Sequence, residues 1–241
     1  MIRRALIIYC DNTASGVLTG PSHDNANYRD YLTRNIGGNW YDDEIISLPN
    51  PTSLMVQNYI HHFLNGADYS FIVFTGHGGI NTHNNKQYLE LMDGEIQLLQ
   101  LKTNAKRQTI IVDACRGYYT AIDEDLRESR MMSFITGAPL QSTRKIFDDA
   151  VLRSDAGWTI LYAASESQTA LDTNKGAVYL ISLLKATYQW EATDRKYNIL
   201  GLNIAHDMAV IYMNDNYETI QEPTMNAEKR ITHYPFAVKF T

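Results

Sequence analysis

The chain has 241 residues, 44% of them hydrophobic and 20% charged, with a formal net charge of -6. That is enough apolar material for one sizeable core, and the acidic balance speaks against a nucleic-acid-binding surface. Two cysteines make no disulfide framework, no apolar run reaches the ~18 residues of a membrane span, and Met1-Ile-Arg-Arg4 leads into a strand without a signal-peptide pattern, so a cytoplasmic protein with neither membrane nor nucleic-acid partners is expected.

Ala5-Leu-Ile-Ile-Tyr9 reads as a strand buried on both faces, ended by the turn residues Cys10-Asp-Asn-Thr-Ala-Ser-Gly16. Asp24 precedes a helical stripe of Tyr28, Tyr31, Leu32 and Ile36, closed by Gly37-Gly38, and is placed to cap that helix. Residues 44–48 form a second strand, stopped by Pro49 and Pro51; Thr52 caps a helix carrying Met55, Tyr59 and Phe63; residues 69–75 form a third strand. This βαβαβ order predicts right-handed crossovers and a parallel sheet with helices on both faces. Residues 86–91 and the turn Met92-Asp-Gly-Glu95 suggest a hairpin outside the main sheet, followed by a helix over 96–101. Another strand ends at Asp113. Residues 118–157 read as irregular apart from a helical stretch over 143–152, and such a segment in a compact domain is usually functional or mobile. A strand over 158–163, helices over 178–188 and 204–213, and a sixth strand over 234–240, placed at an edge by Pro235, complete the pattern.

Two strand ends share one grammar. Phe71-Ile-Val-Phe-Thr-Gly-His-Gly-Gly79 runs from apolar residues onto a glycine-bracketed histidine, and Thr109-Ile-Ile-Val-Asp-Ala-Cys-Arg-Gly117 runs onto a thiol. In one parallel sheet both would open on the same edge, where such sheets keep their binding sites. Cys115 as nucleophile, His77 as general base and later acid, and the N–H groups of Gly78 and Cys115 as oxyanion donors are what a cysteine protease needs. Glycines beside His77 let substrate approach the backbone closely.

Asp113-Ala-Cys-Arg-Gly117 matches four of the five positions of the caspase signature Gln-Ala-Cys-[Arg/Gln/Gly]-Gly, although 38 residues separate it from His77 where caspases have about 50. Thr75-Gly-His-Gly78 resembles the Ser-Gly-His-Gly of the caspase-like clan (clan CD, peptidase C14). Asp in place of Gln before Ala-Cys is similar to the metacaspase, paracaspase and bacterial orthocaspase branch, and Gln168-Thr-Ala-Leu-Asp172 resembles the metacaspase Gln-Thr-Ser-Ala-Asp segment. The resemblance implies one caspase-like catalytic domain: a three-layer αβα sandwich on a six-stranded, mostly parallel sheet. Residues 1–117 would be its large-subunit-like part, 118–157 a cleavable linker and 158–241 its small-subunit-like part. It also implies cleavage after arginine or lysine, with an acidic S1 pocket drawn from Asp113, Asp24 and Asp172, and Glu166 within reach. An acidic pocket selects a basic side chain and rejects an acidic one.

Basic linker residues, Arg127, Arg130, Arg144, Lys145 and Arg153, would then suit self-cleavage. The dyad requires no cofactor and no metal; Asp123-Glu-Asp125 could attract calcium, which activates many metacaspases. The expected partners are protein or peptide substrates with a basic P1 residue and, by analogy with minimal bacterial relatives in defence systems, an activating protein. Two other readings stay open: a catalytically silent caspase-like interaction module, and a metal-dependent hydrolase using His77 and His83. His61-His62 point about 100° apart on a helix and make a poor chelate.

Overall fold

The computed structural model describes residues 1–117, 142–194 and 196–240. Its main sheet uses β1 (Arg3–Tyr9), β2 (Ile45–Pro49), β3 (Tyr69–Thr75), β7 (Arg107–Asp113), β8 (Gly157–Tyr162) and β10 (Thr224–Ala227), in the order β10-β8-β7-β3-β1-β2. All neighbours are parallel except β10, which is antiparallel to β8. The chain leaves β1 for one edge and returns to lay β3 on its other side. Loops after β1 and β3 therefore diverge and leave a crevice at the strands' carboxyl ends.

The period-two alternation of strands divides the core between two helical layers. Ile7, Phe71, Val73, Ile111 and Leu161 face Tyr28, Tyr31 and Leu32 of α1 (Pro21–Thr33) and Leu180 and Leu183 of α4 (Val178–Thr193). Leu6, Ile8, Ile72, Phe74, Ile110 and Val112 face Val56 of α2 (Ser53–Asn58) and Ile60 and Leu64 just beyond it. The first layer also takes α3 (Arg144–Arg153) through Phe147 and Val151, and α5 (Leu202–Asn216) through Ala205 and Ala209. A separate three-stranded sheet of β4 (Gly78–Asn81), β5 (Lys86–Leu91) and β6 (Gly94–Gln97) follows His77.

Three expectations need correction. The C-terminal strand, β11 (Pro235–Val238), is not the sixth strand of the main sheet; it pairs antiparallel with β9 (Ile199–Gly201). Its wholly buried side chains look like a sheet strand, whereas the true sixth strand, Thr224-Met-Asn-Ala227, is short, half-buried and weakly patterned. Residues 96–101 are not a helix: Ile96 pairs with Leu89 in β6, and only Leu98–Leu101 coils, as a 3-10 turn. Asp24 does not cap α1, which starts earlier at Pro21 with Gly20 as its N-cap. The helical stretch expected over 143–152 is present as α3 over Arg144–Arg153.

Candidate active site

In the parallel pair β3–β7, Tyr69 lies opposite Arg107 and Thr75 opposite Asp113. The offset is 38 residues at every rung, the same number that separates His77 from Cys115. Both residues therefore stand two positions beyond the level ends of adjacent strands. Gly76 makes the first turn with φ +153 while its N–H donates to the Asp113 carbonyl, so the two strand ends are tied together.

His77 is half-buried. Desolvation lowers its pKa, opposed by the Glu90 carboxylate and by a backbone contact with Gly16. Gly16 belongs to the small ribbon Asn12–Thr13/Gly16–Val17 that follows β1. The imidazole Nε2 is buried without a hydrogen-bond partner. The His77 carbonyl accepts from the Glu90 N–H at 3.0 Å. Because backbone groups alternate in direction along an antiparallel pair, the N–H of Gly78 points away from β5. A Cβ on Gly78 would stand 2.8 Å from the Tyr88 carbonyl and 3.0 Å from the Ala114 Cβ, which restricts this position to glycine.

Cys115 is partly exposed and free, and its thiol donates to the Ala170 carbonyl at 3.7 Å. Burial holds the thiol above its ordinary pKa, and Asp113 and Asp172 add to this. The neighbouring loop is fastened by backbone bonds from Arg116 to Gln168 (2.9 Å) and from Ser167 to Arg116 (3.1 Å). The Arg116 guanidinium lies 4.2 Å from the Tyr162 ring centroid and meets Glu166 at 3.3 Å, so Glu166 faces an arginine of the protein itself. Cys10, fully buried with its thiol pushed up to about 12, packs its Cβ under Gly76.

Asp24 feels the charges of Asp113 and Asp172, Asp113 feels that of Asp172, and Asp113 and Asp172 also act on the thiol. Asp24 is 1% exposed and fully engaged: Thr75 donates to Oδ2 at 2.7 Å, and the Ala177 N–H to Oδ1 at 3.0 Å. A Cβ on Gly176 would stand 2.3 Å from its Oδ1. Asp113 receives a backbone hydrogen bond from Leu180, in the first turn of α4, but its Oδ2 is buried without a partner. Asp172 accepts from the Gly20 N–H at 3.1 Å, and its Oδ1, also unpartnered, occupies space that a Cβ on Gly20 would fill at 1.7 Å. Burial raises all three carboxyls, Asp24 and Asp113 well above the usual range and Asp172 to about 6.

A family model described as Peptidase_C14, caspase domain, matches residues 2–232. The chain belongs to the caspase-domain family of cysteine peptidases. A solved structure of caspase-1 from Spodoptera frugiperda superposes with a TM-score of 0.63 at 13% identity, covering 93% of this chain and 87% of that one, which establishes a shared fold. A search of curated proteins returned no match.

Within this caspase fold the remaining candidates fall in different places. Arg127, Arg130 and Asp123-Glu-Asp125 lie outside the described residues. Arg144, Lys145 and Arg153 sit on α3, where Arg144 pairs with Glu44 and Lys145 with Asp149. Among the described residues no three His, Cys, Asp or Glu side chains are arranged to hold a metal ion, and no helix is long and apolar enough to cross a membrane. The sequence reading missed Glu90, Gly20, Gly176 and the Ala170 carbonyl. The signal for Glu90 was a lone charge in the apolar stretch Tyr88-Leu-Glu-Leu91; the others act through backbone or empty space and leave no side-chain pattern.

Proposed function

We propose that this caspase-domain protein is an endopeptidase that hydrolyses protein bonds after arginine or lysine through Cys115 and His77. The basic preference is supported by one observation above all: two buried carboxylate oxygens, Asp113 Oδ2 and Asp172 Oδ1, have no partner and lie beside the thiol. A guanidinium or ammonium supplies the donors and the charge they lack, and arginine's planar fork matches carboxylates best. Asp24, whose oxygens are already engaged by Thr75 and the Ala177 N–H, backs the other two carboxyls.

In the reaction His77 takes the thiol proton, and the Cys115 sulfur attacks the substrate carbonyl carbon. The resulting oxyanion develops against the N–H groups of Gly78 and Cys115, an interaction worth on the order of 10²–10³ in rate. His77 passes the proton to the leaving amine as the C–N bond breaks, leaving a thioester. Water then gives a proton to His77 and attacks the thioester, and the sulfur recovers that proton as the carboxylic acid departs. Before this cycle the thiol must turn from the Ala170 carbonyl, a step for the substrate or for an activating partner protein that shifts the 165–171 loop.

A fluorogenic peptide library with varied P1 tests the reading. Turnover is expected with arginine and lysine, is lost in Cys115→Ala and falls sharply in Asp113→Ala; equal cleavage by Cys115→Ala, or a preference for P1 aspartate, sinks it. Self-processing belongs to the same proposal. Proteases take extended chain, so Arg144, Lys145 and Arg153 would be cut only after α3 unwinds. Mass spectrometry should then find wild-type fragments that are absent from Cys115→Ala. The resting thiol's contact with Ala170 favours a second reading, a silent module; stoichiometric labelling of Cys115 by an arginyl chloromethylketone would exclude it.

A further inference from the structure

Glu90 is only 8% exposed, between the core residues Leu89 and Leu91 on β5. Groups leading to His77 surround it. Its N–H donates to the His77 carbonyl at 3.0 Å. Its Oε1 accepts from the Ser15 hydroxyl at 2.6 Å; its Oε2 accepts from the Ser15 N–H at 3.3 Å and from the Thr13 hydroxyl. Thr13 and Ser15 belong to the ribbon that brings the Gly16 backbone against the imidazole. Its strands are two residues long, and Asn12, Ala14, Ser15 and Val17 are exposed, so little packing holds it. An isolated two-stranded ribbon of this size is not stable by itself.

We propose that Glu90 is a positioning residue for His77, anchoring the 13–16 turn through both carboxylate oxygens while its main chain fixes the His77 carbonyl. The inference rests on the reading of His77 as the catalytic base. The role divides into geometry and charge. An amide at position 90 can still accept from Thr13 and Ser15 N–H and can donate to the Ser15 hydroxyl, so Glu90→Gln keeps the anchor and removes the charge. Glu90→Ala removes both. Of the charged groups around the dyad, Glu90 acts on His77, whereas Asp113 and Asp172 act on Cys115.

The test combines kinetics on an Arg-P1 peptide with an NMR titration of the His77 imidazole in full-length protein. Glu90→Ala should lower kcat about 100-fold with KM within about twofold, the cost of a misplaced base. Glu90→Gln should recover to within about 10-fold of wild type, and its His77 midpoint and acid limb of kcat/KM should both move to lower pH, because the charge favouring imidazolium has gone. If Glu90→Ala does not fold, Thr13→Val with Ser15→Ala should reduce kcat about 10-fold by loosening the same turn. Equal losses in Ala and Gln variants with an unmoved His77 midpoint would reduce Glu90 to a structural residue. If wild type shows no thiol-dependent turnover, the endopeptidase reading fails, and the titration still decides: a lowered midpoint in Glu90→Gln supports the coupling, an unchanged one overturns it.

Discussion

Opposite edges of one sheet bury charge in opposite ways. Where the strands begin, Arg3 is 1% exposed yet meets Asp148 at 3.1 Å and Glu44 at 3.6 Å, donates to the Gly38 and Asn39 carbonyls, and stacks on Trp40. Arg144 brings a second cation to Glu44. Two cations balance two anions there. Where the strands end, Asp24, Asp113 and Asp172 share no ion pair among the described residues, and burial drives their pKa values upward instead. The first group is complete as it stands. The second has no compensating cation among the described residues, and burial disfavours its charged forms; on the proposed reading a basic P1 side chain would supply the missing partner.

Substitutions should separate the two groups. Arg3→Ala strands two partly buried carboxylates and is expected to cost about 3–5 kcal/mol of stability in urea unfolding, leaving kcat of the folded fraction within about twofold. A stability loss below about 1 kcal/mol would mean the cluster is not the staple described. Asp113→Asn should do the reverse, lowering kcat/KM on an Arg-P1 peptide about 100-fold, or about 2.7 kcal/mol, without lowering Tm. Asp172 offers a subtler contrast through pH. Its carboxyl lies at about 6 in the folded protein, above its ordinary 3.8, so the folded state binds more protons between those values. Stability should therefore fall as pH rises from about 4 to 6, and urea titrations of Asp172→Asn should show a flatter slope across that window. Arg144→Ala should have the smallest effect, no more than about 1 kcal/mol, because its pair with Glu44 remains partly solvated.

The sheet's central strands were legible because Ala5-Leu-Ile-Ile-Tyr9, Phe71-Ile-Val-Phe74 and Thr109-Ile-Ile-Val112 are apolar on both faces, a pattern few other structures produce. The edge strand Thr224–Ala227 was not, since an exposed edge needs no apolar alternation. His77 and Cys115 stood out as polar residues where such runs stop. That they stand level came only with the register, as sequence distance carries no information about pairing. Asp24 was read as a helix cap because it precedes the apolar stripe; the Gly20-Pro21 start moved it into the first turn, facing Thr75 and Ala177. Glu90 escaped notice because the ribbon that covers it comes from residues 75 positions away, and no local pattern reports a distant lid.

The thiol resting on the Ala170 carbonyl also bears on oxidative damage. Peroxide attacks thiolate, and a sulfur whose ionisation is disfavoured chiefly by burial reacts slowly. The resting protein should survive oxidant exposures that inactivate enzymes with permanently ionised cysteines. On the proposed mechanism, vulnerability would then be confined to the moments when the sulfur has turned toward His77.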